Sequence, residues 1–311
     1  LAELRQSTRT ELLALAVHFH RLLQLPPLEP VPGQPLIVTG HQPGFHHPGI
    51  LIKYLLAHHL AQSAGSVALN LIVDSDLPTS LSLPLPVHTP SGLTIQNIPL
   101  ADFDPALPWQ DQPLPAAAQL HTFLDQVQRV AVPDSIAPAL AVLCQTLPVC
   151  LPLAQNLPDL FTLLHRHLAA PLAIQWLDLP VSLLSQTESF ARFACDLLLH
   201  ARRFRDGYNR ALDEFRRSNK IRNASQPLPN LKGSNEPTDP LELPLWLFTP
   251  NQPRRPLFIY AQNGDILIRD HQSDLFHLPA GLLADPEQGP AALLAALKHH
   301  NLQLRPRALT L

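Results

Sequence analysis

The chain has 311 residues, 46% of them hydrophobic and 15% charged, which excludes a wholly disordered protein and allows one large domain or two ordinary ones. A net charge of −3 with a pI near 6.6 argues against a broad basic surface for nucleic acid. The 35 prolines, about twice the usual share of ~5%, argue against a simple helix bundle and for many short connections.

In chain order, Leu4, Leu12, Leu15, Phe19 and Leu22 recur at helical spacing and predict a charged amphipathic helix over 3–24, not a signal peptide. A Pro-rich linker completes an N-terminal segment, 1–35. The core is expected over 36–185. It opens with a short apolar strand, Leu36 to Thr39, followed by a loop from Gly40 to Gly49 with three glycines and two prolines. A helix is predicted over 50–64, with Pro48 near its first turn and Gly65 as its stop. Val67 to Val73 is a buried strand running into Asp74-Ser75-Asp76. Strand, Gly-rich loop, helix and strand in that order form a βαβ unit of a parallel sheet.

Strands are predicted at 80–87 and 93–98, helices at 116–130, 135–147 and 158–169, and a further strand at 172–177. Residues 135–158 carry no charge, but Pro138, Pro148, Pro152 and Pro158 make a poor spanning helix, so no membrane association is expected. From 188 to 217, Phe190, Ala194, Leu197, Ala201, Phe204, Tyr208, Ala211 and Phe215 form a heptad seam. It predicts one long helix within 186–222, with its arginines on a solvated flank or lining an anionic ligand pocket, and the seam packed either in cis or in a homodimer along 188–217. The segment 223–311 reads as loop-rich, with a hairpin at 256–268 turning at Asn263-Gly264 and returning to the core. A helix at 286–299 and a strand at 302–311 follow. The chain starts at Leu1, contains no Met and ends on an apolar run, and it reads as a fragment. Cys144, Cys150 and Cys195 are too few and scattered for a disulfide framework or a Cys-based zinc site. Buried free thiols suit a reducing cytoplasm.

Two motifs carry the chemistry. Ligands of open parallel sheets sit at the carboxyl ends of strands. At the first such end, Gly40, Gln42, Gly44, His47 and Gly49 are expected to cradle phosphate, with Lys53 one turn into the helix and Arg222 supplying positive charge. His41 and His46 are the candidate acid/base pair. The loop fits neither the dinucleotide nor the P-loop pattern. At the next strand end, Asp74 and Asp76 resemble the metal-binding D-x-D of nucleotide-sugar transferases and would need substrate oxygens to complete a Mg²⁺ shell; a plain cap is the alternative. Asn70 and Asn209 are candidate substrate contacts. A basic corner at Lys220 and Arg222 is a candidate lid, and the remaining histidines read as surface or packing residues.

The run VTGHQPGFHHPGILIKYLLA (Val38 to Ala57), the acidic strand end and the late LRPRALTL together resemble the family of the cysteine-adding enzyme of bacillithiol biosynthesis. Gly40-His41-Gln42-Pro43 stands where that family favours Gly-Gln-Gln. The resemblance implies an α/β fold with a Rossmann-like parallel-sheet core, inserted segments and a long helical arm. It also implies a nucleotide site and ligation of cysteine to a glucosaminyl-malate. The expectation for this chain is broader: a ligase or transferase that uses ATP or another nucleotide, with Mg²⁺, on a small amine, thiol or sugar-derived substrate. The alternatives are a D-x-D nucleotide-sugar transferase and a non-catalytic dimeric scaffold.

Overall fold

A computed structural model describes residues 2–26, 28–31, 33–233, 236 and 239–307. The protein is a mixed α/β molecule whose chain forms two compact units, Leu1–Leu184 and Ser185–Leu311. Among the described residues no helix is long and apolar enough to cross a membrane.

In the first unit, α1 (Ala2–Leu22) leads to β1 (Leu36–His41), α2 (Pro48–Ser63) and β2 (Val67–Ile72). A hairpin follows, β3 (Ser82–Thr89) and β4 (Gly92–Pro99), then α3 (Ala117–Arg129), α4 (Ala137–Cys150), α5 (Leu157–Ala169), β5 (Leu177–Pro180) and the single turn α6 (Val181–Leu184). Strands β1, β2 and β5 form a parallel sheet in that order, with β2 central. Burial on both faces of Ala68 to Ile72 explains why β2 reads as an unbroken apolar run. The register aligns Thr39, Asn70 and Asp178 in one row across the sheet, and His41, Ile72 and Pro180 in the row two residues on. His41, Asn70 and Asp178 therefore share a face, with His41 at the carboxyl end of β1 and Asn70 and Asp178 further back along β2 and β5.

Helix α5 covers part of the first unit's core. Asn156 caps it by accepting from the Asp159 N–H at 2.9 Å, Pro158 sits in its first turn, and Leu157, Leu160, Phe161 and Leu164 are buried. Burial of each of these side chains stabilises the fold by about 1.5–3 kcal/mol. They join Phe19, Phe123, Leu147 and Trp109 in the main core, while Tyr54, Ala57, Ala68 and Trp176 make a second cluster under α2.

The expected strand at 172–177 is displaced. Residues 170–172 form a 3₁₀ turn, Ala173 takes a left-handed conformation (φ 53°), and pairing starts at Leu177.

The second unit corrects the expected long helix. Two helices replace it, α7 (Glu188–Leu199) and α8 (Ala201–Ser218), with His200 between them at φ −111°, ψ 22°. The seam is buried only as far as Ala201; Ala211 and Phe215 are exposed, and the buried face of α8 consists of Ala201, Arg205, Leu212 and Arg216. The arginine flank is thus partly interior. Arg216 donates to the carbonyls of Ala224, Gln226 and Leu228 and to Asn230 and Asp213, so a side chain read as solvated organises the following loop. A continuous 188–217 arm for pairing two copies is not present.

The remaining strands do not rejoin the parallel sheet as expected. β6 (Leu241–Phe248), β7 (Arg255–Gln262), β8 (Asp265–Arg269), β9 (Asp274–Pro279) and β10 (Gln303–Pro306) form an antiparallel sheet of their own in the order β10-β6-β7-β8-β9. The turn at Asn263-Gly264 joins β7 to β8, both residues having positive φ, as a two-residue hairpin loop demands. Helices α9 (Ala280–Leu283) and α10 (Gln288–His299) complete the unit and pack on α7. The last part of the predicted terminal strand, 308–311, lies outside the described residues.

Candidate functional site

The two rows of the parallel sheet carry His41, Asn70 and Asp178 into a cavity closed by α2 through Tyr54, by α5 through Thr162 and His165, and by the 42–46 loop through Gln42 and His46. Its free space is about 10 Å³, the room of one water molecule. An apolar cleft of about 470 Å³ adjoins it and shares four walls with it, His46, Tyr54, His165 and Trp176.

Asp178 anchors this arrangement. Its Oδ1 accepts from Asn70 Nδ2 and from Trp176 Nε1, both at 2.8 Å. Its Oδ2 lies 3.5 Å from Arg166 Nε and 3.4 Å from His20 Nε2. Burial pushes this carboxyl up, but His20, Arg166 and Asn70 outweigh it and hold the group below the usual carboxylate range. Arg166 also donates to the Trp176 carbonyl at 2.6 Å and lies over the Trp176 ring. One buried carboxylate thus locks β2, β5, α5 and the approach to β5 together.

The histidines are tied to main-chain carbonyls, and those bonds assign their tautomers. His41 Nδ1 and His46 Nε2 both donate to the Gln42 carbonyl, at 3.1 and 3.0 Å. His165 Nε2 donates to the Gly44 carbonyl at 2.9 Å. The lone pairs therefore remain on His41 Nε2, His46 Nδ1 and His165 Nδ1. His46 stacks on His165 with ring centres 3.9 Å apart, and its Nδ1 lies 3.5 Å from the Tyr54 hydroxyl, long for a hydrogen bond. Burial lowers His46 to about 4 against the hydrogen bond to Gln42, and lowers His165 to about 3 with His46 acting the same way. Both rings are neutral at pH 7. Burial, reinforced by the Asp178 charge, pushes the Tyr54 hydroxyl well above the usual phenol range, so it stays protonated.

The structure brings together His41, Gln42, His46 and Asn70 among the expected site residues, and it separates the others. Gly40 lies inside β1 rather than in a loop, where an added Cβ would stand 2.9 Å from the Leu71 carbonyl oxygen; it serves strand packing. Gly44 has φ 132° and passes beside Trp109. His47 caps α2, its Nδ1 accepting from the Gly49 N–H at 3.1 Å, so one of the amides expected to meet phosphate is already satisfied. Lys53 is exposed and does not line the cavity.

The acidic pair is corrected in the same way. Asp74 is buried and its Oδ1 accepts from the Ser182 N–H at 2.9 Å, which makes it a cap for α6. Asp76 accepts from Gln42 Nε2 and from the Leu77 N–H. The loop and the acidic strand end do meet through Gln42 and Asp76, but neither carboxylate lines the cavity. Among the described residues there is no group of three His, Cys, Asp or Glu side chains gathered to hold a metal ion. Asn209 and Arg222 belong to the second unit. Asn209 exchanges hydrogen bonds with the Leu231 backbone, a structural task, and Arg222 is exposed.

Sequence reasoning missed His165, Tyr54 and Asp178. His165 reads as a surface or packing residue, and Asp178 falls just past the strand expected at 172–177. A lone Asp inside Leu177-Asp178-Leu179-Pro180 was a usable signal, because a carboxylate among apolar strand residues needs partners. Of the cysteines, Cys150 and Cys195 are buried and Cys144 half-buried, all as free thiols. His167 lies 3.7 Å from the Cys150 sulfur, but its Nδ1 donates to the Leu163 carbonyl and burial pushes the thiol up to about 11, so this contact does not activate the cysteine.

Compared with family models and with curated proteins, the chain matches none.

Proposed function

We propose that the first unit is a Rossmann-like catalytic unit of a small-molecule ligase or transferase. It prepares an amine, thiol or hydroxyl for attack on an acyl or phosphoryl donor. The observation that supports this reading is the meeting of His41, His46, His165 and Tyr54 in one cavity on the carboxyl side of parallel strands. The cavity has room for one heavy atom, that of a nucleophile entering from the adjoining cleft; His41 takes its proton on Nε2 while the Gln42 carbonyl holds the His41 Nδ1–H. Before transfer the hydrogen of the nucleophile rests on Nδ1 of either His46 or His165, both kept neutral by burial, and it passes to His41 as the bond to the donor forms and the donor's nucleotide or phosphate leaves. The protonated Tyr54 hydroxyl donates to the oxygen on which charge develops in the donor. Asp178 positions the walls through Asn70 and Trp176 and is not itself the base.

The resemblance of Val38 to Ala57 to the bacillithiol cysteine-adding family supports ATP as the donor to test first. The Asp74 and Asp76 carboxylates do not fit a Mg²⁺ site, because both are engaged by backbone N–H groups, so no step is drawn through a metal. The free thiols are compatible with a reducing cytoplasm.

The test incubates the full chain with ATP and Mg²⁺ against a panel of amines, thiols and amino sugars and reads nucleotide release. Turnover is expected to depend on one acceptor class and to fall about 100-fold or more in His41→Ala. Turnover unchanged in that variant, or absent with every acceptor, overturns the reading.

A further inference from the structure

We infer that the apolar cleft beside the histidine cavity holds the uncharged apolar body of the substrate, whose hydrogen-bond-donating head, an O–H, N–H or S–H, reaches His165 and His46. This deepens the catalytic reading and rests on it, by naming the class of molecule that brings the nucleophile.

Three observations carry the inference. First, the cleft is large enough: its volume of about 470 Å³ falls in the range of roughly 300–1,000 Å³ found for small-molecule sites. Second, its walls are almost wholly carbon. Phe45, Leu51, Leu83, Leu140, Leu143 and Leu164 surround it, and no Lys, Arg, Asp or Glu is among its lining residues. A carboxylate or phosphate entering here would lose its water and find no cation. The nearby Arg166 is taken up by Asp178 and by the ring and carbonyl of Trp176. A cation would fare little better, because Asp178 already faces Arg166 and His20.

Third, the cleft has one polar end, and its chemistry is directional. His165 and His46 each spend their N–H on a loop carbonyl, Gly44 and Gln42 respectively. Each then keeps its lone pair on Nδ1; that of His46 faces the Tyr54 hydroxyl 3.5 Å away, so His165 Nδ1 is the chief hydrogen-bond acceptor at this end. A ligand that only accepts, such as a ketone or ether, has the Tyr54 hydroxyl alone to meet. A neutral donor on an alkyl or aryl body matches the wall in both polarity and charge. This narrows the acceptor from amines, thiols and sugars in general to apolar molecules carrying one such group, and it disfavours a sugar, whose many hydroxyls would meet leucine side chains.

The experiment is equilibrium binding to the full chain by calorimetry, without nucleotide and without turnover. The probes are four of matched size: 4-butylphenol, 4-butylbenzyl alcohol, 4-butylanisole and 4-butylbenzoate. The phenol and the alcohol are expected to bind at one site per chain, with the ether and the carboxylate weaker by about tenfold or more, the worth of about one buried hydrogen bond. Val142 and Leu168 are exposed cleft-lining residues on α4 and α5, at 48% and 37% exposure, so Val142→Trp and Leu168→Trp fill the space with little burden on folding. Each is expected to abolish phenol binding while circular dichroism is unchanged. His165→Phe keeps the apolar wall and is expected to erase the preference for phenol over ether. Carboxylate binding as tight as phenol, or phenol binding untouched by both tryptophans, overturns the inference. Because no reaction is read, such a failure leaves the catalytic reading standing. A failure of the ATP assay with intact phenol binding refutes the chemistry and keeps the cleft.

Discussion

His46 and His165 are neutral because burial costs their charged forms more than a carbonyl contact returns, and this has a measurable consequence for stability. In the unfolded chain each ring takes a proton near pH 6.5, whereas in the fold they do so at about 4 and about 3. Between these limits the unfolded state binds more protons than the folded one, so stability rises with pH and is lost as pH falls from 6.5 toward 4. We expect a loss of about 5 kcal/mol over that window in urea titrations, shared between the two rings, and a visibly flatter profile in His165→Phe. A profile that rises toward acid would contradict the assigned neutral state. Asp178 makes a second test at this scale. Asp178→Ala leaves Arg166 buried without its carboxylate and removes the acceptor of Asn70 and Trp176, so a loss of about 3–5 kcal/mol is expected. Asp178→Asn keeps one oxygen for those donors and is expected to lose less.

At the scale of elements, the close approach of β1 to β2 at Gly40 and the hold of α8 on its loop make separate predictions. Gly40→Ala places a methyl group 2.9 Å from the Leu71 carbonyl oxygen, against backbone that cannot yield cheaply, and is expected to cost about 1–3 kcal/mol in chemical denaturation. In α8, Arg216→Ala releases the carbonyls of Ala224, Gln226 and Leu228 at once. Limited proteolysis is expected to cut this variant within 223–231 well before the parent chain, with sheet β6–β10 persisting by circular dichroism. Equal cleavage rates would mean that the loop holds its shape without the arginine. The same helix explains why a heptad seam misled. Periodicity records apolar spacing, but Arg205 is buried beside its chain neighbour Asp206, Arg216 is buried because the carbonyls of Ala224, Gln226 and Leu228 satisfy it, and Phe215 is left at the surface. The break at His200 leaves no mark in the spacing, since the seam residues continue in step on both sides of it.

For the molecule as a whole, local signals were legible and distant pairings were not. The β1–α2–β2 unit is written in an apolar strand, a proline at a helix start, a glycine stop and a second apolar strand, each within one turn of its effect. The β7–β8 hairpin is legible because Asn263-Gly264 adopts positive φ at little cost. Of the five-stranded antiparallel sheet only that hairpin and the strand expected at 302–311, which holds β10, were legible; the pairing was not, because β10 meets β6 across some sixty residues and β9 lacks a strong apolar alternation. The site divides along the same line. His41 at the end of β1 and Gln42 and His46 in the loop after it fall in one stretch that glycine, proline and histidine density singles out, whereas His165 and Asp178 join it only through the packing of α5 and the register of β5. The D-x-D pair illustrates the opposite error, in which a recognisable spacing turned out to be an ordinary cap.

If the histidine cavity with its adjoining cleft is where this protein meets its small molecule, a ligand there must move the imidazoles that line it. Histidine-selective NMR of the full chain, titrated with 4-butylphenol at neutral pH, reads those rings. The His46 and His165 signals, both as Nε2–H tautomers, are expected to shift together and saturate, while those of His58, His167 and His277 stay in place. Saturable shifts confined to the latter three, or a charged imidazolium signal for His46 at neutral pH, would contradict this placement.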